Sequence, residues 1–65
     1  MSRSEMYTVA FDEILSETDK AWLFDFMESE HWLPKSQCEI VEGGQEGGYV
    51  SVPEWLLIDK EIDYL

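Results

Sequence analysis

Apolar and polar residues alternate in several short segments of this chain, and alternation is typical of half-buried β-strands. From Tyr7, apolar residues occupy every second position as far as Phe11, and the apolar register then shifts to Ile14. We predict one strand over about residues 6–15, with a bulge near Asp12 that explains the shift.

The most aromatic segment follows a polar break. Trp22, Phe24 and Phe26 share one face if this segment is a strand. Pro34 ends the next apolar segment, because proline cannot donate to a strand ladder. Four further strands are therefore predicted, over about residues 20–27, 30–33, 37–42 and 48–52.

The glycine-rich segment 43–48 predicts a flexible hairpin loop. It resembles a phosphate cradle only superficially, because Glu42 and Glu46 place negative charge there and no lysine follows. We therefore assign it no ligand.

The C-terminal part predicts a helix over about residues 52–61. Ser51 followed three residues later by Glu54 fits a capping box, and Pro53 then lies in the first turn. The predicted inner face carries Trp55, Ile58 and Ile62. The expected fold is α+β: a single domain over residues 1–65, with about five short antiparallel strands in a curled sheet or small barrel and one C-terminal helix.

Charge and cysteine content exclude several classes of function and structure. The 65 residues carry a formal net charge of −11 and are 14% aromatic, so the chain is expected to fold. Direct binding to nucleic acid or to an anionic membrane is disfavoured, because both are negatively charged. Cys38 has no partner for an intramolecular disulfide, and no apolar run predicts a signal peptide or a membrane span. We expect a cytoplasmic monomer.

Candidate catalytic and metal-binding residues are few. His31 and Cys38 could form a nucleophilic pair, but we interpret them as a strand residue and a small buried hydrophobe. One histidine and one cysteine cannot complete a zinc site, and the acidic pairs at Asp12 and Glu28 offer too few oxygens for calcium. We predict no enzyme activity, no metal and no cofactor.

The carboxylates are the most informative feature. Strand residues rise by about 3.3 Å each, close to the roughly 3.4 Å of helix axis per phosphate on each DNA strand. A row of acidic side chains could therefore resemble a DNA backbone, although a solvated acidic surface is an equally simple interpretation. Candidate partner-binding residues are Asp12, Glu13, Glu28, Glu30, Glu39, Glu42, Asp59, Glu61 and Asp63.

Two motifs carry a resemblance over about residues 17–60. W-L-P-K-S-Q at residues 32–37 and V-P-E-W-L at residues 52–56 resemble a small β-domain found in phage and prophage proteins. The resemblance implies that both motifs are structural, with a turn at Pro34 and core positions at Trp32, Leu33, Val52 and Trp55.

A short, strongly acidic chain with this domain also resembles phage-encoded anti-CRISPR proteins, and among them inhibitors of the type I-C system. This resemblance implies a DNA mimic that binds a basic surface of a Cas subunit, such as the large subunit, and blocks target DNA. Two alternatives remain open. One is an interaction adaptor or an inhibitor of another nucleic-acid-handling protein, with an apolar patch of Trp22, Tyr49 or Tyr64. The other is a small enzyme that uses His31.

Overall fold

The computed structural model describes residues 5–62. This part of the chain contains six strands and one helix. In chain order they are β1 (Met6–Phe11), β2 (Glu13–Glu17), β3 (Ala21–Asp25), β4 (Glu30–Pro34), β5 (Glu39–Gly44), β6 (Gly47–Pro53) and α1 (Glu54–Lys60).

The strands form two antiparallel sheets of three strands each. Sheet A has the order β1-β6-β5 and sheet B the order β2-β3-β4. The predicted α+β class is confirmed, but the prediction of about five strands is wrong. The described strands do not close into a barrel, because their ladders divide into two separate sheets.

The additional strand arises at a corner near the N-terminus. The chain leaves sheet A at Phe11 and enters sheet B at Glu13, so the predicted strand over residues 6–15 is two strands. The backbone N–H of Asp12 donates to the Asp25 carbonyl at 2.7 Å and holds the corner against β3. A change of sheet, rather than a bulge, therefore shifts the apolar register.

Register irregularities occur elsewhere in the two sheets. One lies between Ile14 and Ser16 in β2, and the other between Ile40 and Glu42 in β5. The prediction of a bulge near Asp12 is therefore wrong, and the nearest irregularity lies further along the chain, between Ile14 and Ser16.

The two sheets share one hydrophobic core. The rings of Phe11 in sheet A and Phe24 in sheet B meet edge to face, with centroids 4.7 Å apart. A backbone hydrogen bond of 2.9 Å from Ile14 to the Gln45 carbonyl also links the sheets. The largest fully buried side chains are Phe24, Leu33, Leu57, Val50 and Val52.

The aromatic face of β3 is confirmed. Phe24 is fully buried, and the rings of Trp22 and Phe26 each lie 5.7 Å from it, centroid to centroid. Period-two alternation alone was sufficient to identify the inward side of this strand.

The glycine-rich segment 43–48 is not a flexible loop. Its glycines pair across the β5–β6 hairpin, and only residues 45 and 46 form the turn. Gly43 has φ +89°, and a Cβ there would collide with the Gly47 carbonyl oxygen. These glycines permit a tight turn with close backbone approach, which is a different use of glycine from flexibility.

The helix starts later than predicted, at Glu54 instead of about residue 52. Ser51 belongs to β6 and pairs with Thr8, so it cannot serve as an N-cap. Pro53 occupies the N-cap position without a side-chain hydrogen bond, and the predicted capping box is wrong. Within residues 5–62, no helix has the length and apolar character needed to cross a membrane.

The buried face of α1 also differs from the prediction. Trp55 and Ile58 are 48% and 61% exposed, whereas Leu56 and Leu57 are buried against the core. Ile62 is buried as predicted, because a left-handed residue at the C-cap turns the chain back and lets the Ile62 N–H donate to the Leu57 carbonyl at 2.9 Å. The inward face of α1 is therefore formed by Leu56 and Leu57 in place of Trp55 and Ile58.

Candidate functional site

Three carboxylates lie opposite one another across sheet B. Glu13 in β2 pairs with Asp25 in β3, which in turn pairs with Glu30 in β4. Directly opposed residues point to the same face, and neighbouring strands lie about 4.8 Å apart. We call these three residues the acidic row. The row occupies the outer face, because the adjacent residue Phe24 points into the core.

The direction of the row differs from the sequence-based expectation. Phosphate-like spacing was expected along a strand, whereas the row runs across three strands. The strand separation of about 4.8 Å therefore sets the spacing of the backbone positions that carry these charges. Backbone hydrogen bonds between the strands hold these three positions side by side.

No member of the acidic row forms an ion pair with another residue in the described range 5–62. Glu13 and Glu30 are exposed. Asp25 is half-buried, and its Oδ1 accepts a hydrogen bond of 2.8 Å from the Met27 N–H. Like charges placed directly opposite one another in a sheet are destabilising. The row is therefore an unfavourable arrangement for the isolated protein.

Asp12 and Glu28 lie beside the row. Asp12 occupies the sheet corner, where its N–H is bonded to the Asp25 carbonyl. Glu28 lies in the β3–β4 turn, which Met27 enters with φ +78°. This turn and the C-cap residue Glu61 line one depression of about 280 Å³.

The remaining predicted carboxylates lie apart from the row. Glu39 and Glu42 are exposed on β5, the edge strand of sheet A, opposite Ser51 and Tyr49 of β6. Asp59 is exposed on α1. Asp63 lies outside the described residues. The nine predicted positions thus do not form one surface, and the densest group is at one end of sheet B.

Two residues of this face were not identified as site residues from the sequence. Asp25 lies in an aromatic segment, and only the strand pairing brings it between Glu13 and Glu30. Trp32 was expected in the core but is 43% exposed. Its neighbour Leu33 is fully buried, and adjacent strand residues face opposite sides, so Trp32 points outward beside Leu23.

Lysines lie at the opposite end of sheet B. Lys35 Nζ is 2.5 Å from the Glu17 carboxylate and 5.3 Å from the centre of the Trp22 ring. The Lys35 N–H also donates to the Lys20 carbonyl at 2.8 Å, which holds the start of β3 beside the end of β4. Charge at this end is therefore partly paired within the protein.

The cysteine and the histidine have separate structural surroundings. Burial raises the pKa of the Cys38 thiol to about 11, which disfavours the reactive thiolate. His31 lies in β4, and its Nε2 is 2.9 Å from the Ser29 hydroxyl. Among residues 5–62 no group of three or more His, Cys, Asp or Glu side chains is arranged to hold a metal ion.

The alternative apolar patch is divided between the sheets. Trp22 is half-buried on the inner face of sheet B, and Tyr49 is exposed on the outer face of sheet A. Tyr64 lies outside the described residues. Trp22 and Tyr49 therefore do not form a shared patch.

The chain was compared with protein families, with curated proteins and with solved structures, and no match was found in any of the three. The fold class is defined by the two three-stranded sheets and the single helix. The functional proposal depends on the residues themselves, and above all on the acidic row.

Proposed function

We propose that this protein is an inhibitor that binds the basic DNA-binding surface of a bacterial protein complex and competes with DNA for it. The observation that carries the proposal is the acidic row, three carboxylates on adjacent strands of sheet B that form no ion pair within residues 5–62. The resemblance of the sequence to anti-CRISPR proteins suggests the target: the large Cas subunit of a type I-C interference complex, in the host cytoplasm.

Electrostatics explain how such a surface would act. A DNA-binding groove collects lysine and arginine side chains that neutralise phosphates and release counterions. A protein with a net charge of −11 is attracted to the same groove at long range. Once bound, the acidic row, with Asp12 and Glu28 beside it, would occupy positions that phosphates otherwise take.

The cost of the row to the isolated protein supports a binding role. Opposed like charges destabilise a sheet by a few tenths of a kcal/mol to about 1 kcal/mol per pair. A small domain has little stability to spare. A solvated surface can achieve the same solubility with its carboxylates spread apart, so solubility does not require this row.

Competition for the type I-C interference complex tests the proposal. Its affinity for the protein should be measured over a range of salt concentrations, with and without excess target duplex DNA. We expect affinity to fall steeply with salt and the DNA to displace the protein. Binding that is insensitive to salt, binding together with DNA, or no binding contradicts the proposal.

Matched variants locate the binding face. The double substitution Glu13→Gln and Glu30→Gln removes two charges from the row, and Glu39→Gln with Glu42→Gln removes two from sheet A. We expect the first pair to weaken binding substantially more than the second. Equal effects would show that only net charge matters and that the row is not the binding site.

A further inference from the structure

Trp32 and Leu23 form an apolar strip next to the acidic row on the outer face of sheet B. The two residues are directly opposed, on β4 and β3. Glu30 lies two residues before Trp32 on β4 and faces the same side, about 7 Å away along the strand. An exposed indole is therefore bordered by carboxylates.

No described element covers this strip. The helix packs against β6, in the other sheet, and Trp32 remains 43% exposed. Tryptophan is the residue type most enriched among those that dominate binding energy at protein interfaces, together with tyrosine and arginine. The strip is thus suited to contact a partner, and the charges beside it select which partner.

Charge complementarity points to arginine on the partner surface. A guanidinium is planar, stacks on aromatic rings and donates paired hydrogen bonds to a carboxylate, whereas a lysine ammonium acts as a point charge. Trp32 and Glu30 lie on the same face at backbone positions about 7 Å apart, within the span over which one arginine can contact both side chains. In nucleic-acid complexes, arginine contacts phosphates and also stacks on bases.

We propose that Trp32 takes the place of a nucleic-acid base and that an arginine of the partner's DNA-binding surface stacks on it while bonding to Glu30. This proposal rests on the inhibitor function above and specifies the chemistry of its partner. The acidic row then replaces phosphates, and the indole replaces a base next to them.

Substitution of Trp32 tests the proposal in the complex. Trp55 provides a matched control, because it is the same residue type at 48% exposure and lies on α1 instead of sheet B. We expect Trp32→Ala to weaken binding to the interference complex about tenfold, Trp32→Phe to weaken it less, and Trp55→Ala to leave it within twofold. Thermal unfolding should show that all three variants fold.

The salt dependence separates the two proposals. Trp32→Ala removes no charge, so the slope of log affinity against log salt should stay unchanged, whereas Glu13→Gln with Glu30→Gln should reduce it. If Trp32→Ala binds like the native chain and DNA still competes, the stacking proposal is wrong and the inhibitor function stands.

A second measurement does not depend on the target. The indole N–H signals of the free protein can be followed by NMR during titration with an oligo-arginine peptide or an oligo-lysine peptide of equal length. We expect arginine to shift the Trp32 signal more than lysine does, with Trp55 little affected. Equal shifts with the two peptides, or no Trp32 shift, overturn the arginine proposal even if the complex proves to be the wrong target.

Discussion

The two ends of sheet B differ in whether their charged side chains form ion pairs with described residues. At one end, Lys35 lies within ion-pair distance of Glu17 and over the ring of Trp22. At the other end, the acidic row has no cationic partner among the described residues. Sheet B therefore has a paired charge at one end, where Glu17 contacts Lys35. At its other end the charges of the acidic row form no ion pair with a described residue. The unsatisfied end is the one available to another molecule.

The largest expected effect of changing the acidic row is on binding affinity. Reversing charge at the row with Glu13→Lys and Glu30→Lys should weaken affinity for the interference complex about 100-fold or more, because like charges then meet across the interface. Glu39→Lys with Glu42→Lys, on sheet A, is the control with the same change in net charge. Titration calorimetry measures both, and equal losses would remove the distinction between the two surfaces.

Alkaline pH tests the burial of Cys38 in the hydrophobic core that the two sheets share. The Cys38 thiol loses its proton near pH 9.0 in the unfolded chain and near 11 in the folded one. Between these values the folded state binds more protons, so stability should fall as pH rises, by about 1–3 kcal/mol. Urea unfolding of the native chain and of Cys38→Ala from pH 8 to pH 11 measures the difference. A parallel decline in both proteins would show that Cys38 is not the cause.

Neutralising the row should stabilise the free protein. Glu13→Gln with Glu30→Gln removes opposed like charges, and we expect the free energy of unfolding to rise by about 0.5–1 kcal/mol at low salt. The gain should shrink in 1 M salt, because exposed charges are then screened. Loss of stability instead would mean that the row is satisfied by interactions within the fold.

The end of sheet B that carries Lys35 should respond with the opposite sign and a similar magnitude. Lys35→Met removes an exposed ion pair and a contact with the Trp22 ring, and should lower stability by about 0.5–1 kcal/mol. Lys20→Met is the control, because it removes an equal charge from the same end. If both lysines give the same change, the Lys35 contacts contribute nothing measurable.

Local patterns predicted the inward face of β3 and the approximate positions of most strands. They failed where two local signals competed. Trp32 and Leu33 are both apolar, and alternation allows only one of them to face the core. Ser51 and Glu54 fit a capping box, but pairing with β1 keeps Ser51 in a strand. In each case a tertiary contact decided between locally reasonable outcomes.

The candidate site was harder to predict than the fold. Of the nine carboxylates chosen from the sequence, eight lie within the described residues, and only Glu13 and Glu30 of these belong to the acidic row. Charge alone does not indicate which face a residue occupies. Asp25 was not chosen, since its position between Glu13 and Glu30 depends on the pairing of three strands. Sequence distance gives no sign of this arrangement.

The strands of sheet B follow one another directly in the chain, from Glu13 to Pro34. The acidic row and Trp32 are consequently encoded by a single uninterrupted stretch of the gene. One recombination event that exchanges this stretch would replace the whole proposed binding face and leave sheet A and the helix in place. The fold would tolerate such an exchange as long as inward residues such as Phe24 and Leu33 keep their size.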